Sequence, residues 1–341
     1  MSALSQLLDN SGELGERLAH RLSILEQRLH DVVRIDDAVV DAATSHLSDA
    51  GGKRLRPLLC FLTAELGDTP QAPEVFDSAL AVELTHLASL YHDDVIDDAP
   101  LRRGVPSAQH LYGNAAAIMA GDVLFARASS IVAGLGPEAV HLHATAFERL
   151  CIGELHETAG PGVGADPIVY YIHVLADKTG SLIAAAARYG VLAAGGKSEL
   201  AEAVANYGEK VGVAFQLADD VIDLVSDEAV TGKTPGTDLL EGVDTMPTLL
   251  LRDRRARGEL SVHSDKAGAE ILELLDGGHL DEANNLGRAV ALLRNHPVVE
   301  ETRQLAYQWA EAARAELAAV PAGEVRTALE QFAQAMVDRM S

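Results

Sequence analysis

Apolar residues recur three and four positions apart along nearly the whole chain. From Val75 to Ile96 the series Leu80, Leu84, Leu87, Leu90, Tyr91 and Val95 keeps this spacing, the period of one helix face. Ala115 to Ala133 and Ser181 to Ala194 are rich in alanine, the best helix former and small enough to let helices approach closely. Alternating runs bounded by turns are hard to find. The pattern predicts an all-α protein of a dozen or so helices. Breakers divide them at Gly51-Gly52, Pro70 with Pro73, Pro100, Gly104 with Pro106, Gly134 to Pro137, Gly160 to Pro167, Gly195-Gly196 and Gly232 to Gly236. None forms a long flexible linker, so residues 1–341 are expected to make a single large helical bundle domain.

Composition narrows the function. The 27 Lys+Arg against 51 Asp+Glu leave a net charge of −24, which argues against nucleic acid as a partner. With 48% hydrophobic residues a core can form, and disorder is excluded. Two cysteines, Cys60 and Cys151, offer no disulfide framework and no CxxC metal or redox pair. The N-terminus lacks a basic region and meets Asp9 early, unlike a signal peptide. The most apolar stretch, Asn114 to Gly136, is interrupted by Asp122 and Arg127, so no transmembrane segment is expected. A cytoplasmic location follows as an expectation.

One internal echo carries chemistry. Asp-Asp-Val-Ile-Asp occurs at Asp93 to Asp97 and again at Asp219 to Asp223, each after an apolar helical run. On a helix Asp93 and Asp97 share a face, as do Asp219 and Asp223. Like charges so placed repel, and a cation between them reverses the sign. Carboxylates without His or Cys partners suit a hard ion, magnesium (Mg2+) first, which keeps waters and accepts substrate phosphates. Alone, either cluster would be a solvated acidic face; the duplication at the ends of apolar runs favours function.

The bases cluster too. Gly51-Gly52-Lys53-Arg54-Leu55-Arg56-Pro57 and Pro100-Leu101-Arg102-Arg103-Gly104-Val105-Pro106 place cations at two turns in a base-poor chain. Arginine presents a planar fork suited to phosphate oxygens. Asp177-Lys178-Thr179-Gly180, Gln216 and the segment from Gly232 to Asp238 add two lysines and two neutral dipoles. The Thr179 hydroxyl and Gln216 amide can stabilise a developing cation without capturing it. Gly232-Lys233-Thr234 is no P-loop, since the required earlier glycine is absent.

These motifs, in order from residue 45 to 250, resemble those of the trans-isoprenyl diphosphate synthases, or polyprenyl synthetases. They are GGKRLRP, ELTHLASLYHDDVID, RRGVP, GDVLF, KTGSLI, FQLADDVID and GKTPGTDLLEG with TMP. The flanks are helical but carry no motif. The resemblance implies a bundle of the isoprenoid synthase type, its central cavity lined by two aspartate-rich helices. It implies a prenyltransferase that condenses isopentenyl diphosphate with an allylic prenyl diphosphate, and usually a homodimer. It implies that Asp93, Asp97, Asp219 and Asp223 bind Mg2+, with Asp94 part of the motif. Arg102 and Lys178 would hold the allylic diphosphate, assisted by Lys233. Lys53, Arg56, His86 and Arg103 would hold isopentenyl diphosphate, and Lys178, Thr179 and Gln216 would line the cation region.

Two positions depart from that pattern: Glu157 stands where a glutamine is common, and Val243-Asp244 replace a frequent lysine. Ala88 and Ser89 stand where short-chain relatives often carry a bulky aromatic. With Leu84, Thr85 and Ala81 below them, and about 5 Å gained per turn, a medium- or long-chain product is expected, with Phe147 as the tunnel floor. The rivals are a short-chain synthase, a terpene cyclase and a non-catalytic partner subunit.

Overall fold

The computed structural model describes residues 3–225, 235–260, 263–278, 280 and 284–340. Its helices are α1 (Ala3–Asn10), α2 (Gly12–Val33), α3 (Ala38–Asp49), α4 (Leu55–Ala64), α5 (Pro73–Ile96), α6 (Ala108–Tyr112), α7 (Asn114–Ala133), α8 (Pro137–Ala159) and α9 (Pro167–Leu175). A π-helical turn (Ala176–Gly180) leads into α10 (Ser181–Ala193) and α11 (Ser198–Val225). Then come α12 (Thr237–Leu240), α13 (Met246–Ala256), α14 (Lys266–Asp276), α15 (Asn285–Arg294), α16 (Pro297–Glu316) and α17 (Glu324–Val337). A two-residue antiparallel pair, β1 (Leu101–Arg102) with β2 (Val105–Pro106), is the β structure among the described residues. The all-α expectation holds, and the predicted breakers from Gly51 to Gly196 fall between helices, while Gly232 lies outside the described residues.

Local chemistry explains the boundaries. Pro73, Pro137, Pro167 and Pro297 open their helices, where a missing N–H costs nothing. Asp166 caps α9 by accepting from the N–H groups of Ile168 and Val169. Helix α5 has no polar stripe and is buried nearly all round, the mark of a core helix.

Helix α10 occupies the centre, packed against α4, α5, α8 and α11. Small residues allow this. A Cβ on Gly190 would lie 2.1 Å from the Cys60 carbonyl oxygen on α4, and one on Gly208 of α11 would lie 2.9 Å from Ala184 Cα. Gly180 meets Gly212 and Ala184 meets Gly208, so α10 and α11 run antiparallel. One apolar cluster joins α2, α4, α5, α7 and α10; a second gathers around the C-terminal half of α11 with α13 to α16.

Helix α7 is long and apolar enough, by length and composition, to cross a membrane, but a third of that stretch is buried in the protein. It lies along α5, and Arg127 donates to the carbonyl oxygens of Val32 and Arg34, which makes it a helix of the bundle.

The close approach of α4 and α10 is testable. Gly190→Ala puts a methyl against the Cys60 carbonyl oxygen and the Thr63 hydroxyl and should cost about 1–3 kcal/mol of stability, the range of ordinary overpacking. Chemical denaturation measures this; unchanged stability would mean that α4 and α10 are further apart than described.

Candidate active site

The first acidic motif closes α5. Asp93 lies in the last turn, half-buried, and the Asp97 N–H caps the helix by donating to the Asp93 carbonyl at 2.8 Å. Asp94 turns inward instead: it is fully buried, and Arg102 Nε donates to its Oδ1 at 2.5 Å. Burial pushes the Asp93 carboxyl up to about 7, with Glu154 and Asp97 adding to the rise and Lys178 and Arg102 opposing it.

Arg102 and Arg103 sit on the hairpin. Arg103 and Gly104 both have positive φ (55° and 78°), the conformation of a two-residue turn whose twist matches the flanking strands. That turn aims the two arginines apart. Arg102 reaches Asp94, while Arg103 Nη1 donates to the carbonyl oxygens of Leu47, at 2.8 Å, and Gly51. Arg54 serves the structure: it pairs with Glu83 at 2.8 Å and Glu26 at 2.6 Å. Arg56 Nε is buried without a hydrogen-bond partner. Burial and Arg103 lower the Arg56 pKa to about 10, against the pull of Glu83 and Asp93. His86, two turns before Asp93, is held neutral well below its usual range by burial and by Arg56, Arg103, Arg102 and Arg54. Crowded cations with an unsatisfied donor are a ready anion site.

The π-turn carries Lys178 and Thr179. Glycines let it wedge between two helices: a Cβ on Gly153 of α8 would lie 2.4 Å from the Lys178 backbone nitrogen, and one on Gly212 of α11 would lie 2.5 Å from Gly180 Cα. Arg149 fixes the turn through Asp177 (2.7 Å) and Glu209 (2.6 Å). The Lys178 ammonium meets both Glu154 oxygens (3.0 and 3.1 Å) and Glu157. Burial opposes its charge, but Glu157 and Glu154 outweigh burial and raise its pKa. Thr179 is buried, and Gln216 is half-buried on α11 one turn before Asp219.

The second motif repeats the first in space. Asp219 is half-buried and accepts from Arg339 Nη2 at 2.7 Å. Asp220 is buried; the Tyr171 hydroxyl lies 3.0 Å from both its oxygens and the Met246 N–H donates at 3.1 Å. Burial and Asp238 push its carboxyl far above the usual range. The Asp223 carboxylate accepts from the Thr237 N–H at 3.3 Å. Lys233 lies outside the described residues.

Some residues that shape the site carry no sequence signal. Arg339, at the far end of a flank without motifs, reaches Asp219 and stacks over the Phe215 ring at 4.5 Å; partial burial of Lys53, and after it the field of Arg339, lower the Lys53 pKa against the pull of Asp219. Glu154, Arg149 and Tyr171 were equally silent.

The elongation path differs from expectation. Ala81, Leu84, Thr85 and Ala88 are sealed, and a Cβ on Gly121 of α7 would lie 3.1 Å from the Ala88 carbonyl oxygen. Ala88 therefore permits helix packing and lines no open channel. The half-buried side chains in this region are Cys151 and Phe147 on α8 and Phe125 on α7. Phe125 and Phe147 stack at 3.9 Å between centroids.

The sequence model of the polyprenyl synthetase family matches residues 37–271. The chain belongs to that family. It is 41% identical to nonaprenyl diphosphate synthase of Mycobacterium tuberculosis over 92% of this chain and 91% of that protein. Its fold matches a polyprenyl synthase of Caulobacter crescentus, solved with calcium and isoprenyl diphosphate, at a TM-score of 0.86 and 32% identity, covering 97% of this chain and 98% of the other. A decaprenyl diphosphate synthase of Rhodobacter capsulatus matches at 0.82 and 30% identity, covering 97% and 99%. As a polyprenyl synthetase it is a prenyltransferase with the all-α fold of its relatives.

The wedge at Gly153 can be tested separately from chemistry. Gly153→Ala pushes the π-turn away from α8 and should lower kcat about tenfold or more, a cost of roughly 1.4 kcal/mol in the barrier, while the melting temperature moves by only a few degrees. Wild-type kinetics in this variant would show that the position of Lys178 does not depend on that contact.

Proposed function

We propose that this polyprenyl synthetase condenses isopentenyl diphosphate with an allylic prenyl diphosphate to build a medium- to long-chain all-trans polyprenyl diphosphate, as a single-domain, cytoplasmic homodimer. The observation that carries the reading is the cluster of Arg56, Arg102, Arg103 and neutral His86 beside Asp93, with Lys53 coupled to Asp219 of the second acidic motif. Relatives named nonaprenyl and decaprenyl diphosphate synthase support the product class. Apolar side chains left exposed on α6, α7 and α8, among them Leu111, Ile118, Met119 and Leu155, support pairing of subunits.

Asp93, Asp97, Asp219 and Asp223 are the residues that would hold Mg2+. The donor set is all oxygen, and a cation would favour the charged form of the Asp93 carboxyl, which burial, and after it Glu154 and Asp97, now disfavour. Bound magnesium would neutralise the departing diphosphate. Arg102 and Lys178 orient the allylic diphosphate, with Lys233 assisting; Lys53, Arg56, His86 and Arg103 seat isopentenyl diphosphate. Arg56 gains the acceptor it lacks, and His86 stays a neutral hydrogen-bond donor among arginines. Leaving-group departure gives an allylic cation, faced by the Thr179 hydroxyl and Gln216 amide. The double bond of isopentenyl diphosphate attacks it, and a proton is lost to the released diphosphate. Buried apolar helices exclude water.

A second reading, a short-chain product, is favoured by one observation. Phe147 lies only one to two turns from Cys151 and Glu154, beside Asp93. A floor there would leave about 6–10 Å at 1.5 Å per residue. The medium- to long-chain reading requires the chain to pass beside the Phe125–Phe147 pair.

Labelled isopentenyl diphosphate with several allylic primers, followed by chromatography, tests both. Products well beyond twenty carbons are expected. Phe147→Ala should leave the wild-type product class unchanged or lengthen it slightly; short wild-type products that lengthen markedly in Phe147→Ala would establish the short-chain reading. No elongation at all would overturn the enzyme reading.

Asp93→Ala or Asp219→Ala should lower turnover by orders of magnitude with little loss of fold. Because the Asp93 carboxyl titrates near 7, protons compete with the cation below that pH. The Mg2+ concentration for half-maximal rate should therefore rise as pH falls from 8 to 6, by up to about tenfold per unit below 7. A requirement that is flat with pH would contradict this.

A further inference from the structure

The Lys178 ammonium donates to one oxygen of Glu154 and one of Glu157, and the second Glu154 oxygen lies 3.0 Å away within ion-pair distance. One positive charge is thus paired with two carboxylates before any substrate arrives. Glu154 and Glu157 are i and i+3 on α8, so they share a face, and Gly153 beside them lets the π-turn come close.

The two glutamates are not needed to hold the turn itself. Its backbone is fixed by Arg149 through Asp177 and Glu209, by Ser181 Oγ donating to the Asp177 carbonyl at 2.5 Å, and by the glycine contacts. What Glu154 and Glu157 fix is the ammonium. They also differ: Glu154 is buried, whereas the Glu157 side chain keeps 24% of its surface exposed. Released from Lys178, Glu157 can be hydrated and Glu154 cannot, so Glu157 is the partner that yields.

We infer that Glu157 is a latch on Lys178 that competes with the allylic diphosphate for the ammonium, so that it weakens the hold on the prenyl diphosphate and eases its release. The inference rests on the reading that Lys178 contacts the allylic diphosphate. Glu157 is a positioning residue: it acts through Lys178. Exchange of one anionic acceptor for another at a single ammonium balances charge without a proton transfer, so the latch reopens whenever product leaves.

The test is equilibrium binding of farnesyl diphosphate, with Mg2+ and without isopentenyl diphosphate, to wild type and to Glu157→Gln. The variant should bind about three- to tenfold more tightly, its KM for farnesyl diphosphate should fall, and its KM for isopentenyl diphosphate should stay within twofold. A damaged fold weakens binding, so a gain of affinity separates the latch from a structural role. In a Lys178→Ala background the same change should tighten binding by less than half as much. Unchanged or weaker binding in Glu157→Gln, or an equal gain with and without Lys178, would overturn the latch. If wild type itself elongates none of the allylic primers, the enzyme reading fails instead.

Discussion

Carboxylates crowd the C-terminal ends of α5 and α11, where the helix dipole is already negative and where i, i+4 acids repel each other. Everything around them answers that cost. In each copy of Asp-Asp-Val-Ile-Asp the second aspartate turns inward and is tied down, Asp94 by Arg102 and Asp220 by Tyr171 and the Met246 N–H. The first, Asp93 or Asp219, stays half-buried at the site. The inward member anchors the helix end so that the outward member keeps its place at the site. Arg339 partly offsets Asp219, and Lys178 offsets Glu154 and Glu157.

The cations are as crowded as the acids. Arg54, Arg56, Arg102 and Arg103 surround a neutral His86, and one buried guanidinium nitrogen of Arg56 has no partner. A diphosphate brings acceptors to the arginines, and a divalent cation brings charge to the aspartates. Each half of the site is costly alone and both are relieved together. The wedged π-turn sets Lys178 at the boundary between them, since its pKa answers to Glu157 and Glu154 while its charge lowers that of Asp93.

The all-α fold, the helix breaks among the described residues and the acidic and basic motifs were legible in the sequence, because helical periodicity and short charged motifs are local signals. Arg339 was not, because it reaches Asp219 across 120 residues of chain. Nor was the role of Asp94 against Asp93: adjacent aspartates look alike until the hairpin supplies Arg102. Ala88 was ambiguous, since a small residue serves a tunnel and a tight helix contact equally well; in the structure it is buried where α7 packs on α5. Glu157 stood out as a departure, but its meaning required the ammonium of Lys178.

Among the described residues no three metal-binding side chains are gathered closely enough to hold an ion by themselves, so the aspartates and a diphosphate should bind magnesium only jointly. Calorimetric titration of Mg2+ into the protein, with and without a non-hydrolysable allylic diphosphate analogue, measures this coupling. Weak binding alone that tightens at least tenfold with the analogue is the predicted result. Equally tight binding with and without it, or tight binding of the analogue in excess chelator, would contradict a site whose two charged halves neutralise each other through the substrate.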